Sequence, residues 1–208
     1  MNFLVADDHA IVRKGLVQLI REEFPSAEII EVSDSFQVLE MVRKSHFDLI
    51  MLDISMPGKN GIEILKQIKA EKIKSPVLML SMHSEDQYAM RTLKAGASGF
   101  LNKDTATEEL IIAINKILSG KKYISSNMAE KLAEEVGEKS KKSGHENLSD
   151  RELQVLTLIA SGKTVSEIAD EINLSVNTIS TYRARILEKL SLNNNAEITR
   201  YCFDNDLI

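Results

Sequence analysis

Asp7 and Asp8 stand side by side directly after the apolar run Phe3–Ala6. Two carboxylates at the rim of a buried strand repel each other and lose hydration, so something positive is required beside them. Three more polar residues close comparable apolar runs: Asp53 ends "LIMLD", Ser81 ends "PVLMLS" and Lys103 ends "GFLNK". Clustered carboxylates suit a hard divalent cation, and Mg²⁺ commonly takes one or two of them with waters and a phosphate oxygen. A carboxylate is also a nucleophile that can form an aspartyl phosphate. Asp53, on the middle strand, is the candidate nucleophile. Asp7, Asp8 and Asp53 would hold Mg²⁺, while Lys103 and Ser81 would meet phosphoryl oxygens. Mg²⁺ and Lys103 together would supply the missing positive charge.

These residues can meet only if the strands are neighbours. From residue 1 to about 120, apolar runs ("FLVA", "AEIIEV", "LIMLDI", "PVLMLS", "GFLN") alternate with helical patterns such as "AIVRKGLVQLIREE" and "GIEILKQIKAEK". In the latter, Ile62, Leu65 and Ile68 recur three apart, as on one helix face. Five strands alternating with five helices predict an α/β fold, a doubly wound parallel sheet covered on both sides. Ligands of such sheets bind beyond the carboxyl ends of the strands, where the strand order reverses. In the order 2-1-3-4-5, strands one and three are neighbours at that reversal, which brings the three carboxylates together.

Size and composition agree with an ordinary globular protein. The chain has 208 residues, 43% hydrophobic and 27% charged, which fits one large domain or two small ones. No run of 18 apolar residues is present, so no membrane partner is expected, and no secretory signal is visible. The single cysteine, Cys202, has no partner for an internal disulfide, and a cytoplasmic location is the simplest expectation. The formal charge of −5 disfavours a uniformly basic nucleic-acid binder but leaves room for a local basic face. Composition shifts in "SSNMAEKLAEEVGEKSKKSGHEN", which reads as a partly helical linker. The expected division is 1–122, a linker at 123–147, and 148–208.

The motifs "ADDHA", "LIMLDISMPGKNGIE", "PVLMLSMH" and "KAGASGFLNKD" resemble, in order and spacing, the receiver domain of bacterial two-component response regulators. The resemblance implies a flavodoxin-like receiver whose Asp53 is phosphorylated by a sensor histidine kinase. It also implies Ser81 as a switch hydroxyl and Phe100 as a switch aromatic. Gly58 and Gly61 fit a tight loop after Asp53. Many receivers have Pro after the lysine, joined by a cis bond; here Asp104 follows Lys103. Ser55 and His83, two positions beyond Asp53 and Ser81, could border the path of attacking water and set the lifetime of the phosphoryl group. Phosphorylation would bias a two-state equilibrium, with homodimerisation as its readout.

Beyond the linker the pattern is all helical. "SDRE" and "TVSE" match capping boxes at Ser149–Glu152 and Thr164–Glu167, Ser175 is a third candidate cap, and a fourth helix is expected from Asn194 or Asn195. Within "TVSEIADEINLSVNTISTYRARILEKL" a helix, a short turn and a second helix form a helix-turn-helix, whose second helix enters the DNA major groove. The longer match from "LSDRELQVL" to "NNNAEI" resembles the LuxR-type DNA-binding domain, and the two together resemble the NarL/FixJ architecture.

At 100° per residue, Ile179, Ile186 and Leu190 face inward, while Asn177, Thr181, Ala184, Arg185 and Glu188 lie opposite, with Ser180 at the edge. Arg185 could pair with guanine and Asn177 with adenine, and Thr181 and Ala184 could touch a thymine methyl. Arg183 and Lys189 flank that face and suit phosphates or solvent. Lys163, Thr164 and Ser166 open the preceding helix and suit a phosphate.

Residues 146–208 carry six Lys and Arg against ten Asp and Glu, so one copy should hold DNA weakly and two copies are expected to act together. Ser191 stands where the family often has Gly, at a helix end that prefers positive φ. The last helix is the expected dimer surface of this module, by resemblance, and Cys202 is expected in its core. RNA polymerase is a further candidate partner. Two alternatives remain: a receiver whose helical module grips a protein, and a Mg²⁺-dependent phosphohydrolase with an aspartyl intermediate.

Overall fold

The computed structural model describes residues 1–56, 58–82, 85–126, 128–130, 144–205 and 207–208; the side chains at 85–87 lie outside that set. The chain forms two compact units, Met1–Gly137 and Glu138–Ile208.

The first unit is a five-stranded parallel sheet in the order β2-β1-β3-β4-β5. Its strands are β1 (Asn2–Ala6), β2 (Glu28–Val32), β3 (Leu49–Asp53), β4 (Val77–Ser81) and β5 (Gly99–Asn102). Helices α1 (Ala10–Glu23), α2 (Ser35–Lys44), α3 (Gly61–Ala70), α4 (Glu85–Lys94) and α5 (Ala106–Leu118) alternate with them. β3 and β4 are buried at every position, as expected of strands covered on both faces. On one side, Leu16, Val17 and Ile20 of α1 and Leu110 and Ile114 of α5 pack against the sheet. Each such side chain contributes about 1.5–3 kcal/mol on burial. Ile62, Leu65 and Ile68 of α3 are buried as their spacing requires.

Pairing of Ala6 with Leu52 and of Asp53 with Leu80 aligns the carboxyl ends of β1, β3 and β4 at one rim. Strand five differs slightly from the expectation. β5 stops at Asn102, whose side chain accepts the Asp104 amide at 2.9 Å, and Lys103 opens a short 3₁₀ turn, Lys103–Thr105. No peptide bond among the described residues is cis, so the bond between Lys103 and Asp104 is trans. Tyr123 still belongs to the sheet unit: its amide donates to Ser98 O at 2.9 Å and its hydroxyl to Glu109 at 2.8 Å.

The second unit holds α6 (Asp150–Ala160), α7 (Val165–Glu171), α8 (Val176–Leu190) and α9 (Asn195–Asp204). Both expected capping boxes form, Ser175 caps α8, and Asn194 caps α9. Ile168 and Ala169 of the first helix of the pair, Ile172 at its C-terminal cap and Ile179 of the second are buried, which locks α7 to α8. Ser191 ends α8 in the left-handed region, at φ 55°. Cys202 is buried, and that burial pushes its thiol up to about 12, which makes it an inert core residue.

Candidate functional site

The rim of the sheet brings Asp7, Asp8, Asp53 and Lys103 together. Lys103 Nζ lies 2.7 Å from Asp7 Oδ2 and 2.8 Å from Asp53 Oδ2. All three side chains are sealed from solvent, at 3%, 0% and 1% exposure, whereas Asp8 is 26% exposed and forms the mouth. Asp7, Asp8, His9 and Asp53 each place one ligand atom within 4.8 Å of the others. Sequence reasoning missed His9. Its Nδ1 stands 2.8 Å from Asp8 Oδ1 and 3.5 Å from Asp7 Oδ1, and its only signal was adjacency to the acidic pair.

Three carboxylates face one ammonium, so the pocket has an excess of negative charge. Burial pushes Asp53 up to about 6; the Lys103 charge opposes this, the Asp7 charge adds to it, and the Ser55 amide opposes it. For Lys103, burial pulls the pKa down, but attraction to Asp53 and Asp7 outweighs it and holds the ammonium above its ordinary value. Asp7 Oδ2, Asp8 Oδ1 and Asp53 Oδ2 are buried, and none accepts a well-directed hydrogen bond among the described residues. Lys103 Nζ lies beside Asp7 Oδ2 and Asp53 Oδ2, and His9 Nδ1 lies beside Asp8 Oδ1.

The loop after β3 is built to hold Asp53 in place. The Gly61 amide donates to Ile54 O at 2.9 Å, and a Cβ on Gly61 would meet Asp53 O at 2.2 Å, so only glycine fits. Gly58 turns at φ 88°, and the next amide, of Lys59, donates to Ser35 Oγ at 2.8 Å. Ser55 is half-buried. Ser81 is buried at the end of β4, one residue past the partner of Asp53, and Phe100 is buried within β5. His83 lies outside the described residues.

The second site is the outer face of α8. Asn177, Ser180, Thr181, Ala184 and Arg185 are exposed, whereas Ile179 and Ile186 are buried. Four of the expected phosphate contacts already have partners within the module. Lys163 is paired with Glu171, Lys189 with buried Glu152 at 2.6 Å, and Arg183 Nε donates to Asn195 at 2.6 Å. Thr164 is engaged in its own capping box, while Ser166 is exposed. The Arg185 side chain makes neither an ion pair nor a hydrogen bond with the described residues, and it lines a hollow with Asn177, Thr181 and Tyr182.

Residues 3–115 match the family described as the response regulator receiver domain, and residues 146–202 match the bacterial regulatory proteins of the luxR family. The chain is a response regulator of the NarL/FixJ family. Among its relatives, the response regulator UvrY of Escherichia coli K12 is 32% identical over 209 residues, covering 100% of this chain and 95% of UvrY. The response regulator GacA of Pseudomonas aeruginosa is 32% identical over 200 residues, covering 95% of this chain and 93% of GacA. In solved structures, RcsB of Salmonella enterica serovar Typhimurium, bound to promoter rprA with the phosphomimetic BeF₃⁻, matches with a TM-score of 0.65 at 27% identity, covering 97% of each chain. This response regulator therefore carries a receiver with an acidic cluster and a LuxR-type DNA-binding domain. No described helix is long and apolar enough to cross a membrane.

Proposed function

We propose that this response regulator accepts a phosphoryl group on Asp53 from a sensor histidine kinase and, as a homodimer, binds paired half-sites in double-stranded DNA to control transcription. The observation that carries the reading is the convergence of Asp7, Asp8, Asp53 and Lys103 from three strand ends into one over-acidic pocket.

The donor set fits Mg²⁺. It is rich in carboxylate oxygens, and three buried oxygens have lone pairs that no directed donor satisfies. Asp7, Asp8 and Asp53 would hold the ion, which when bound neutralises charge on the transferring phosphoryl oxygens. An oxygen of Asp53 forms the new O–P bond as the P–N bond of a kinase phosphohistidine breaks, and the departing imidazole keeps the electron pair and gains a proton. Lys103, already 2.8 Å from Asp53 Oδ2, transfers its ion pair to a phosphoryl oxygen.

Ser81 donates its hydroxyl to another phosphoryl oxygen. That contact exists only in the modified state, so it biases the conformational equilibrium, with buried Phe100 on the adjoining strand as the packing element that responds. Ser55 and His83 tune loss of the phosphoryl group to water.

On the DNA side, Arg185 pairs with guanine, Asn177 with adenine, and Thr181 and Ala184 meet a thymine methyl. Ser180 borders that face, and Lys163, Thr164, Ser166, Arg183 and Lys189 meet phosphates once their internal partners yield. Two-fold pairing places half-sites about 10 bp apart, and RNA polymerase is the further partner at a promoter. Similarity to UvrY and GacA over nearly the whole chain supports this reading over the phosphohydrolase and protein-gripping alternatives.

Genome-wide footprinting with and without acetyl phosphate tests the proposal. Protected sites should sharpen on phosphorylation in the wild type and not in Asp53→Ala. Identical footprints in both proteins under both conditions would reject it.

A further inference from the structure

We propose that Arg13 is a positioning residue for the cation pocket: it holds the peptide between Asp7 and Asp8 and so sets the Mg²⁺ affinity of the receiver. This rests on the Mg²⁺ reading above.

β1 ends at Ala6, so the residues that carry the two carboxylates have left the sheet. What remains of the strand pairing is one bond, from the Asp7 amide to Val32 O at 3.2 Å. The Asp7 side chain is held separately. Its Oδ1 accepts the His9 amide at 2.8 Å, and its Oδ2 faces Lys103. The Asp7 carbonyl needs its own partner, and Arg13 Nη1 donates to it at 2.6 Å. The other end of the guanidinium is fixed too, with Nε donating to Glu31 Oε2 at 3.2 Å, and the Arg13 side chain is only 17% exposed.

The geometry explains why this matters for a cation. The Asp7 carbonyl belongs to the peptide that leads directly into Asp8, the residue at the pocket mouth. Clamping that carbonyl fixes the peptide plane and hence the direction in which the Asp8 side chain leaves the backbone. No side chain caps the N-terminus of α1, because His9 makes no capping bond and points its ring at Asp8. Arg13, one turn into α1, therefore ties the helix to the loop in place of a cap. Arg suits the task because its planar fork can hold Glu31 with one nitrogen and the carbonyl with another, which an ammonium on a flexible stem cannot do with the same geometry. Partners that orient metal-binding groups commonly change metal affinity by about 10–100-fold when removed.

The test is Mg²⁺ titration of the full chain, read by backbone amide NMR shifts around residues 6–9 at a temperature where each protein is folded. Arg13→Gln should weaken Mg²⁺ binding about tenfold, and Arg13→Lys should fall between it and the wild type. Glu31→Ala, which leaves the Asp7 carbonyl bond in place but frees the far end of the guanidinium, should weaken binding measurably but less than Arg13→Gln does. A role in fold stability alone would lower the melting temperature and leave the dissociation constant of the folded protein unchanged. That result in Arg13→Gln, or in Glu31→Ala should Arg13→Gln fail to fold, overturns the proposal. A wild-type protein with no Mg²⁺-dependent shifts would instead overturn the Mg²⁺ reading of the pocket, and the role of Arg13 with it.

Discussion

Replacing Asp53 by Asn should stabilise the metal-free receiver, and the gain should depend on pH. Burial raises Asp53 from 3.8 to about 6, against the pull of Lys103, so the folded pocket disfavours the charged carboxylate. A carboxyl whose folded pKa is raised penalises the folded state as pH climbs from the unfolded value through the folded one. The penalty is small near pH 4, grows between about pH 4 and 6, and is complete above about pH 7. The rise from 3.8 to about 6, at about 1.4 kcal/mol per pH unit, amounts to about 3 kcal/mol. Asn is isosteric and neutral, and Lys103 keeps Asp7 as its partner at 2.7 Å, so most of that penalty should vanish. Thermal unfolding in EDTA should show Asp53→Asn melting roughly 10 °C above wild type at pH 7.5, with the two converging near pH 4. Saturating Mg²⁺ should narrow the gap from the wild-type side. A variant less stable than wild type at pH 7.5, or a gap independent of pH, would refute this electrostatic account of the pocket.

Ser191→Gly should stabilise the DNA-binding unit by about 1 kcal/mol, measured by denaturant unfolding, because Ser191 holds φ 55° at the end of α8. Arg185→Ala should cost about 1–3 kcal/mol on a specific duplex and relax the preference at one base pair, read by fluorescence anisotropy across single-base variants. The plot of log K against log salt should be shallow for so acidic a module, and Lys189→Ala should make it shallower by about one phosphate contact, the contact Lys189 gains when it leaves Glu152, 2.6 Å away in this structure. Gly61→Ala should unfold the receiver or displace Asp53, with phosphorylation lost, since its Cβ would meet Asp53 O at 2.2 Å.

The pocket was legible because parallel sheets gather the residues that follow their strands. Asp7, Asp8, Asp53 and Lys103 could be placed together from apolar runs and strand order alone, and the caps at Ser149, Thr164 and Ser175 were visible as short local patterns. Two things were not legible, for physical reasons. The end of β5 shifted by one residue because the Asn102 side chain captures the Asp104 amide, and competition between a side chain and the ladder leaves no periodic trace. Partners of long charged side chains depend on which elements come to lie near one another. Nothing in the spacing of Lys189 and Glu152, or of Arg13 and the Asp7 carbonyl, announces contacts that only the folded packing creates. The basic residues expected to meet DNA phosphates were therefore identified without the internal partners that several of them hold.

The most direct measurement is the site of phosphorylation itself. Intact mass after incubation with acetyl phosphate and Mg²⁺ should show one added phosphoryl group, peptide mapping after borohydride reduction should place it on Asp53, and both EDTA and Asp53→Ala should abolish it. An equally phosphorylated Asp53→Ala protein, or a wild type that stays unmodified with Mg²⁺ present, would contradict the account.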